Sequence, residues 1–242
     1  MSLKFNQSSR INYINLKESK DRFLFMENQF KEYNITNYKR FSTERFEEYK
    51  ELVKITGPYI ESVNHHGTNI TFLRCIKNWL DETSEEYGIF LEDDTSFITS
   101  HYWNFTWNEF LYSLPKDWEV VQLIRINSIN ANKPELNIRT RDSYDWGASC
   151  MMKRTYAEKL LKSYMVNHNE FLFDIKGTDL MPIVENLLFT SGVCLNVPLF
   201  IETCLPSTYN RGYDPIHEYS RLKYMELWEK QGLSKSIKEF LV

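Results

Sequence analysis

Tyr87-Gly88-Ile89-Phe90-Leu91-Glu92-Asp93-Asp94 is the stretch on which the fold turns. Its apolar run, Ile89-Phe90-Leu91, is short and bounded by polar residues, the signature of a buried strand. The run stops at three acids. An unpaired carboxylate carried inward costs several kcal/mol or takes up a proton. The triplet is therefore expected just outside the carboxyl end of a strand, the edge where ligands bind in open α/β sheets. Three adjacent carboxylates repel one another, and a divalent cation relieves the repulsion. Hard oxygen ligands suit Mg2+ or Mn2+, which keep open positions for phosphate oxygens. A solvated acidic turn is the plainer alternative.

Outward from this stretch the pattern is that of a βα chain. Ile11 to Leu16 alternates apolar and polar residues and reads as the first strand. Phe23, Met26, Phe30 and Tyr33 recur at helical spacing, predicting a helix over Lys20 to Tyr33, and Tyr38 to Phe41 forms a second strand. Glu44 to Ile55 is charged and predicted helical, broken by Gly57-Pro58. Ser62 to Asn69 reads as a loop carrying His65 and His66. A helix with Ile70, Leu73, Ile76 and Leu80 leads into the central strand. Beyond the acids, His101 to Leu114 is predicted helical, Trp118 to Ile124 a strand, and Asn127 to Arg141 a long loop or short hairpin. Trp146 to Met152 is small and apolar, a buried strand. Arg154 to Tyr164 and Asp179 to Leu188 read as helices, with Pro182 in the first turn of the latter. Val193 to Val197 and Leu199 to Ile201 are strands on either side of Pro198. The tail from His217 is helical, which divides the chain into a domain over 1–215 and a helical extension over 216–242.

Composition bounds the function. With 42% hydrophobic and 15% aromatic residues the chain buries a core, and its net charge of -4 lacks the basic balance of a nucleic-acid binder. No run of about 18 apolar residues predicts a membrane span. Cys75, Cys150, Cys194 and Cys204 lack paired zinc spacing and read as reduced thiols of a cytoplasmic protein. Neither GxGxxG nor GxxxxGK[ST] occurs, nor HExxH, nor GxSxG, so the acidic triplet is the only concentrated chemistry.

An ordered set of motifs resembles glycosyltransferase family 25, the lipopolysaccharide and collagen galactosyl- or glucosyltransferases of the GT-A fold. Ile14-Asn15-Leu16 followed by Asp21-Arg22 matches the end of the family's first strand and its turn. Gly67 to Cys75 occupies the place of Gly-x-x-Gly-Cys-x-x-Ser-His, with Arg74-Cys75 where the family has Ser-His. Leu91-Glu92-Asp93-Asp94 matches Leu-Glu-Asp-Asp. Gly147 leads toward Ala157-Glu158-Lys159-Leu160-Leu161, Thr178-Asp179 echoes Val-Asp, and Val197-Pro198-Leu199-Phe200 matches Val-Pro-x-Phe. The likeness runs from Ile11 to Ser207.

That resemblance implies a Rossmann-like, mainly parallel sheet flanked by helices, and transfer of a hexose from a UDP-sugar to a hydroxyl of a glycan or other acceptor, with inversion. It implies Glu92 and Asp94 as Mn2+ or Mg2+ ligands, with His217 as a third ligand or a plain structural histidine. Asp93 would hold the ribose or orient the loop. Asn15 and Leu16 would approach base and ribose, and Arg22 or Arg74 a phosphate, unless these arginines are surface charges. Inversion needs a base. Asp179 takes that place or caps its helix, with Asp145 and Glu185 behind it. Trp146, beside Gly147, stacks on the acceptor sugar or fills core. Two rival classes are a metal-dependent phosphohydrolase or nuclease built on the same acids, and a carbohydrate-binding protein with a degenerate transferase fold.

Overall fold

The computed structural model describes residues 4–5, 8–45, 53–56, 63–126, 134–141, 145–165, 171–174, 183–189, 191–203, 205 and 215–240. Its strands are β1 (Ile11–Leu16), β2 (Tyr38–Thr43), β3 (Val53–Thr56), β4 (Tyr87–Leu91), β5 (Thr95–Ser96), β6 (Val120–Ile124), β7 (Arg139–Thr140), β8 (Cys150–Lys153), β9 (Phe171–Asp174) and β10 (Cys194–Glu202). The helices are α1 (Lys20–Glu32), α2 (Val63–Glu82), α3 (Trp107–Ser113), α4 (Arg154–Tyr164), α5 (Val184–Leu188) and α6 (Pro215–Leu227). The main sheet has the order β2-β1-β4-β8-β6-β10-β5, with β7 also on β10, and β3 pairs with β9 apart from it. β2, β1, β4, β6 and β10 point the same way, and β8 runs against both of its neighbours. This is a mixed, mostly parallel α/β sheet flanked by helices.

Both faces of the sheet are covered, which is why its strands read as continuous apolar runs. Side chains alternate between the faces with a period of two. Ile89, Leu91, Val121, Leu123 and Met151 join one core with Met26 and Phe30 of α1, Trp107 and Phe110 of α3, and Tyr224 of α6. Phe90, Val120, Cys150 and Met152 join the other, with Phe72 and Trp79 of α2 and Tyr156 and Leu160 of α4. Trp228, in the π-helical turn after α6, is fully buried in the first core and donates its indole N–H to Pro198 O at 2.8 Å. The turn after α6 is thus part of the core on this face of the sheet. Cys75, Cys150 and Cys194 are free thiols, the first two buried. Among the described residues no helix is long and apolar enough to cross a membrane.

Several sequence expectations are corrected. The end of the expected Glu44–Ile55 helix is instead strand β3, parallel to β9, as β-branched Val53, Ile55 and Thr56 favour; residues 46–52 lie outside the description. The loop expected around His66 is the first part of α2, and His66 is buried. It shares the helical spacing of Asn69, Ile70, Leu73 and Ile76, so a polar residue stands on a core-facing stripe. The single helix expected over His101 to Leu114 is a 3-10 turn at Ile98–Tyr102 and then α3. Thr106 restarts the helix through a capping box with Glu109. Pro198 does not divide two strands: β10 runs through it, and its pairing with β6 shifts register between Asn196 and Phe200, where the missing N–H is tolerated. The helix expected from Asp179 is described only as α5.

Candidate functional site

Two acids of the site stand at the ends of buried strands, and the third, Asp94, lies in the turn that follows the first. β4 and β10 point the same way, so Glu92, just after β4, and Glu202, the last residue of β10, leave the sheet at its carboxyl edge. β8 and β6 lie between those strands, a separation of roughly 14 Å at ordinary strand spacing. The chain closes the gap itself. After the turn Glu92-Asp93-Asp94 it crosses the edge as β5 and pairs antiparallel with the end of β10, Thr95 opposite Glu202. Thr203 N–H donates to Asp94 O at 2.7 Å and fixes the crossing. As a result Glu92, Asp94 and Glu202 each present an oxygen within 4.8 Å of the others, all three partly exposed.

The turn is splinted by α1. Arg22 and Gln29 lie on its buried face with Met26 and Phe30. Arg22 Nη1 donates to Asp93 Oδ1 at 2.6 Å and to Asp94 Oδ2 at 2.9 Å. Gln29 donates to Thr95 O and accepts from Phe97 N–H. The β1–β4 register, Tyr13 opposite Leu91, carries Asn15 to the level of Asp93, and Asn15 Nδ2 donates to Asp93 Oδ2 at 2.6 Å. Both Asp93 oxygens are thereby engaged within the protein.

Gly147 supplies the opposite wall. Its φ of +104° lies in the left-handed region, and a Cβ there would stand 2.9 Å from Ile124 Cγ2, so only glycine fits without strain. That conformation aims two successive N–H groups at carboxylates. Gly147 N–H donates to Glu185 Oε1 at 2.9 Å, and Ala148 N–H to Glu92 Oε2 at 3.2 Å. Ser149 Oγ accepts from Glu92 N–H. Burial, then the charges of Asp94, Glu202 and Glu185, push the Glu92 carboxyl well above the usual carboxylate range. Burial lifts Glu202 as well, with Asp94 and Glu185 adding to it and the hydrogen bond from His217 opposing it.

These residues fit a hard divalent cation. Three carboxylates converge, two of them reluctant to ionise without a countercharge. Among the described residues, Asp94 Oδ1 and Asn15 Oδ1 are buried acceptors with no hydrogen-bond donor. A native structure leaves few such atoms, and an ion or ordered water is the usual explanation.

No family model and no curated protein matches the chain. Solved structures with some likeness include A197 from STIV, at 10% identity over 80% of this chain and 84% of that one, TM-score 0.42. HddC from Yersinia pseudotuberculosis is 12% identical over 93% of this chain and 79% of its own, TM-score 0.35. The apo-form glycosyltransferase GlyE of Streptococcus pneumoniae TIGR4 is 10% identical over 95% of this chain, which spans 61% of GlyE, TM-score 0.41. Likeness this shallow fixes neither family nor function.

Of the residues singled out in the sequence, Glu92, Asp93, Asp94, Asn15 and Arg22 come together in this one place. Leu16 is half-buried at the end of β1. Arg22 meets the acids rather than open solvent. His217, at the start of α6, sits with Nδ1 2.6 Å from Glu202 Oε2, one step behind the carboxylates. Trp146 is half-buried against the first core and bridges Ile126. Arg74 is half-buried on α2, and Asp179 lies outside the described residues. Asp145 is buried, with Arg139 Nη2 2.5 Å from its Oδ1. Glu202 is the member that sequence reasoning missed. Its signal was present: Phe200-Ile201-Glu202 repeats the form of Phe90-Leu91-Glu92, an apolar run ending in an acid.

Proposed function

We propose that the chain is a metal-dependent glycosyltransferase of the GT-A kind. It would move galactose or glucose from a UDP-sugar to a hydroxyl of a glycan or other acceptor, with inversion. The observation that carries this is the convergence of Glu92, Asp94 and Glu202 at the carboxyl edge of a mostly parallel sheet, inside a chain whose motif order resembles family 25. Bound there, Mn2+ or Mg2+ would neutralise the charge that gathers on a departing nucleoside diphosphate.

The chain's own residues have separate tasks in this reaction. Glu92, Asp94 and Glu202 hold the cation, and His217 orients Glu202. Arg22 and Asn15 keep Asp93 and the turn in place, while Asn15 and Leu16 border the donor's base and ribose. Arg74 is assigned to a phosphate. The acceptor lies along Trp146 and Gly147. Asp179 takes the proton of the acceptor hydroxyl; Glu185 is the alternative, since its charge acts on both Glu92 and Glu202.

A panel of UDP-hexoses with Mn2+, scored for UDP release with and without sugar acceptors, tests the proposal. Acceptor-dependent release from one donor, lost in Asp94→Ala, supports it. Phosphate release from simple esters with no sugar preference would replace it with a phosphohydrolase, and no turnover of any donor would leave a binding protein.

A further inference from the structure

Strand β6 carries a glutamine at a position whose neighbours are aliphatic. Gln122, between Val121 and Leu123, is fully buried. A buried amide is tolerated only when its hydrogen bonds are made. Gln122 fills both donor and both acceptor positions. Its Nε2 donates to Gly147 O at 2.6 Å and to Asp145 O at 3.3 Å. Its Oε1 accepts from Asn196 Nδ2 at 2.7 Å and from Arg141 Nε at 3.2 Å. The β6–β10 register sets Asn196, also fully buried, beside it. Asn196 Oδ1 in turn accepts from Arg125 Nε, and Arg125 holds the carbonyls of Glu135 and Asn137. These partners permit one orientation of the Gln122 amide, because the reverse would set its oxygen against two carbonyls.

The acids lie on the far side of the peptide groups that Gln122 reaches. A peptide is planar and trans, so its C=O and N–H point in opposite directions. The Gly147–Ala148 peptide has its oxygen on Gln122 and its N–H on Glu92 Oε2. The Trp146–Gly147 peptide has its oxygen on Ile126 N–H at 3.1 Å and its N–H on Glu185 Oε1. Two successive peptides are thus each gripped at the carbonyl and aimed at a carboxylate. The second grip is a backbone group, the first a side chain. Gly147, at a φ of +104°, has no side chain of its own to fix the turn. We infer that Gln122 is a positioning residue of the candidate centre: its amide fixes the Gly147 carbonyl, and the rigid peptide carries that constraint to Glu92. The role rests on Glu92 belonging to the proposed centre, whatever donor or acceptor that centre takes.

The test reads the peptides directly. Isotopically labelled glycine and alanine are incorporated into the metal-free chain, and the Gly147 and Ala148 amide protons are followed by NMR. Bonded to carboxylates, they are expected downfield and slow to exchange in wild type. Gln122→Met fills nearly the same space without the hydrogen bonds. It should move the Ala148 proton upfield, speed its exchange, and weaken Mn2+ binding by about tenfold, the scale at which partners of metal ligands act. Val121→Ala truncates a buried neighbour on the opposite face of β6 and controls for lost stability. It should leave the Ala148 signal and the Mn2+ affinity as in wild type. Gln122→Glu, which keeps the acceptor side but turns an oxygen toward Gly147 O, gives the same readout if Gln122→Met fails to fold. An Ala148 proton that exchanges freely in wild type overturns the role. So does a folded Gln122 variant that keeps the wild-type Ala148 signal or the wild-type Mn2+ affinity. A shifted Ala148 signal in a chain that binds no Mn2+ even as wild type supports the role of Gln122 and overturns the cation centre of the proposed function.

Discussion

Strip the protein of divalent cations and raise the pH: its stability should fall, and the cation should restore more at high pH than at low. Glu92 and Glu202 have carboxyls raised by burial and by their neighbours' charges. A carboxyl whose folded pKa exceeds its unfolded one contributes stability that is fully present below the unfolded value. That contribution is lost as the pH rises through the folded value. The loss is about 1.4 kcal/mol per pH unit for each carboxyl while it titrates. Carboxyls shifted the other way act elsewhere: Glu82, held to about 2 chiefly by Lys39, weakens the fold only in strong acid. Cation binding must expel the protons that Glu92 and Glu202 retain, so its apparent Kd should drop by about tenfold per pH unit for each proton released. Urea unfolding followed by tryptophan fluorescence suits the measurement, since Trp79, Trp103, Trp107 and Trp228 are fully buried. Curves would be taken from about pH 5 to about pH 8, in chelator and in Mn2+. Glu92→Gln, which cannot ionise, should flatten the slope in chelator. Stability in chelator that rises across this window, or a slope that Glu92→Gln leaves untouched, would refute the account of the site's electrostatics.

Other outcomes follow from the same geometry. Gly147→Ala should cost about 1–3 kcal/mol from its positive φ and the contact with Ile124, and should weaken Mn2+ binding by displacing the N–H groups that hold Glu185 and Glu92; a calorimetric melt and a Mn2+ titration read both effects. Trp228→Ala should cost about 3–5 kcal/mol by emptying the core where the tail is seated, measured by urea unfolding. A loss below about 1 kcal/mol would mean that the tail is not part of that core. Asp179→Asn should lower kcat by about a hundredfold and leave the Mn2+ affinity unchanged. The same loss in Glu185→Gln, with Asp179→Asn active, would move the base to α5.

What the sequence disclosed of this site, and what it did not, follows from how each residue is held. Glu92 to Asp94 was legible because an apolar run ending in charge is a local pattern, and a strand end explains it without knowledge of the rest of the chain. Glu202 carries the same local pattern, yet its importance depends on β5 crossing two intervening strands to pair with β10. That is a tertiary fact with no periodicity of its own. The contacts of Arg22 were hidden for a related reason. In a helix whose apolar face holds Met26 and Phe30, an arginine at the matching spacing reads as a surface charge or a ligand contact. Only the depth of Asp93 beneath it makes burial of a guanidinium tolerable. Gln29 and His66 show the same limit, being polar residues on helical faces that spacing assigns to the core, and the partners of Gln29, Thr95 O and Phe97 N–H, come from beyond its helix. The apolar framework could thus be read from composition and period, because burying apolar surface is non-directional and needs no particular partner. The polar scaffold of the site could not, because each of its buried groups is stable only against one specific atom brought from elsewhere in the chain.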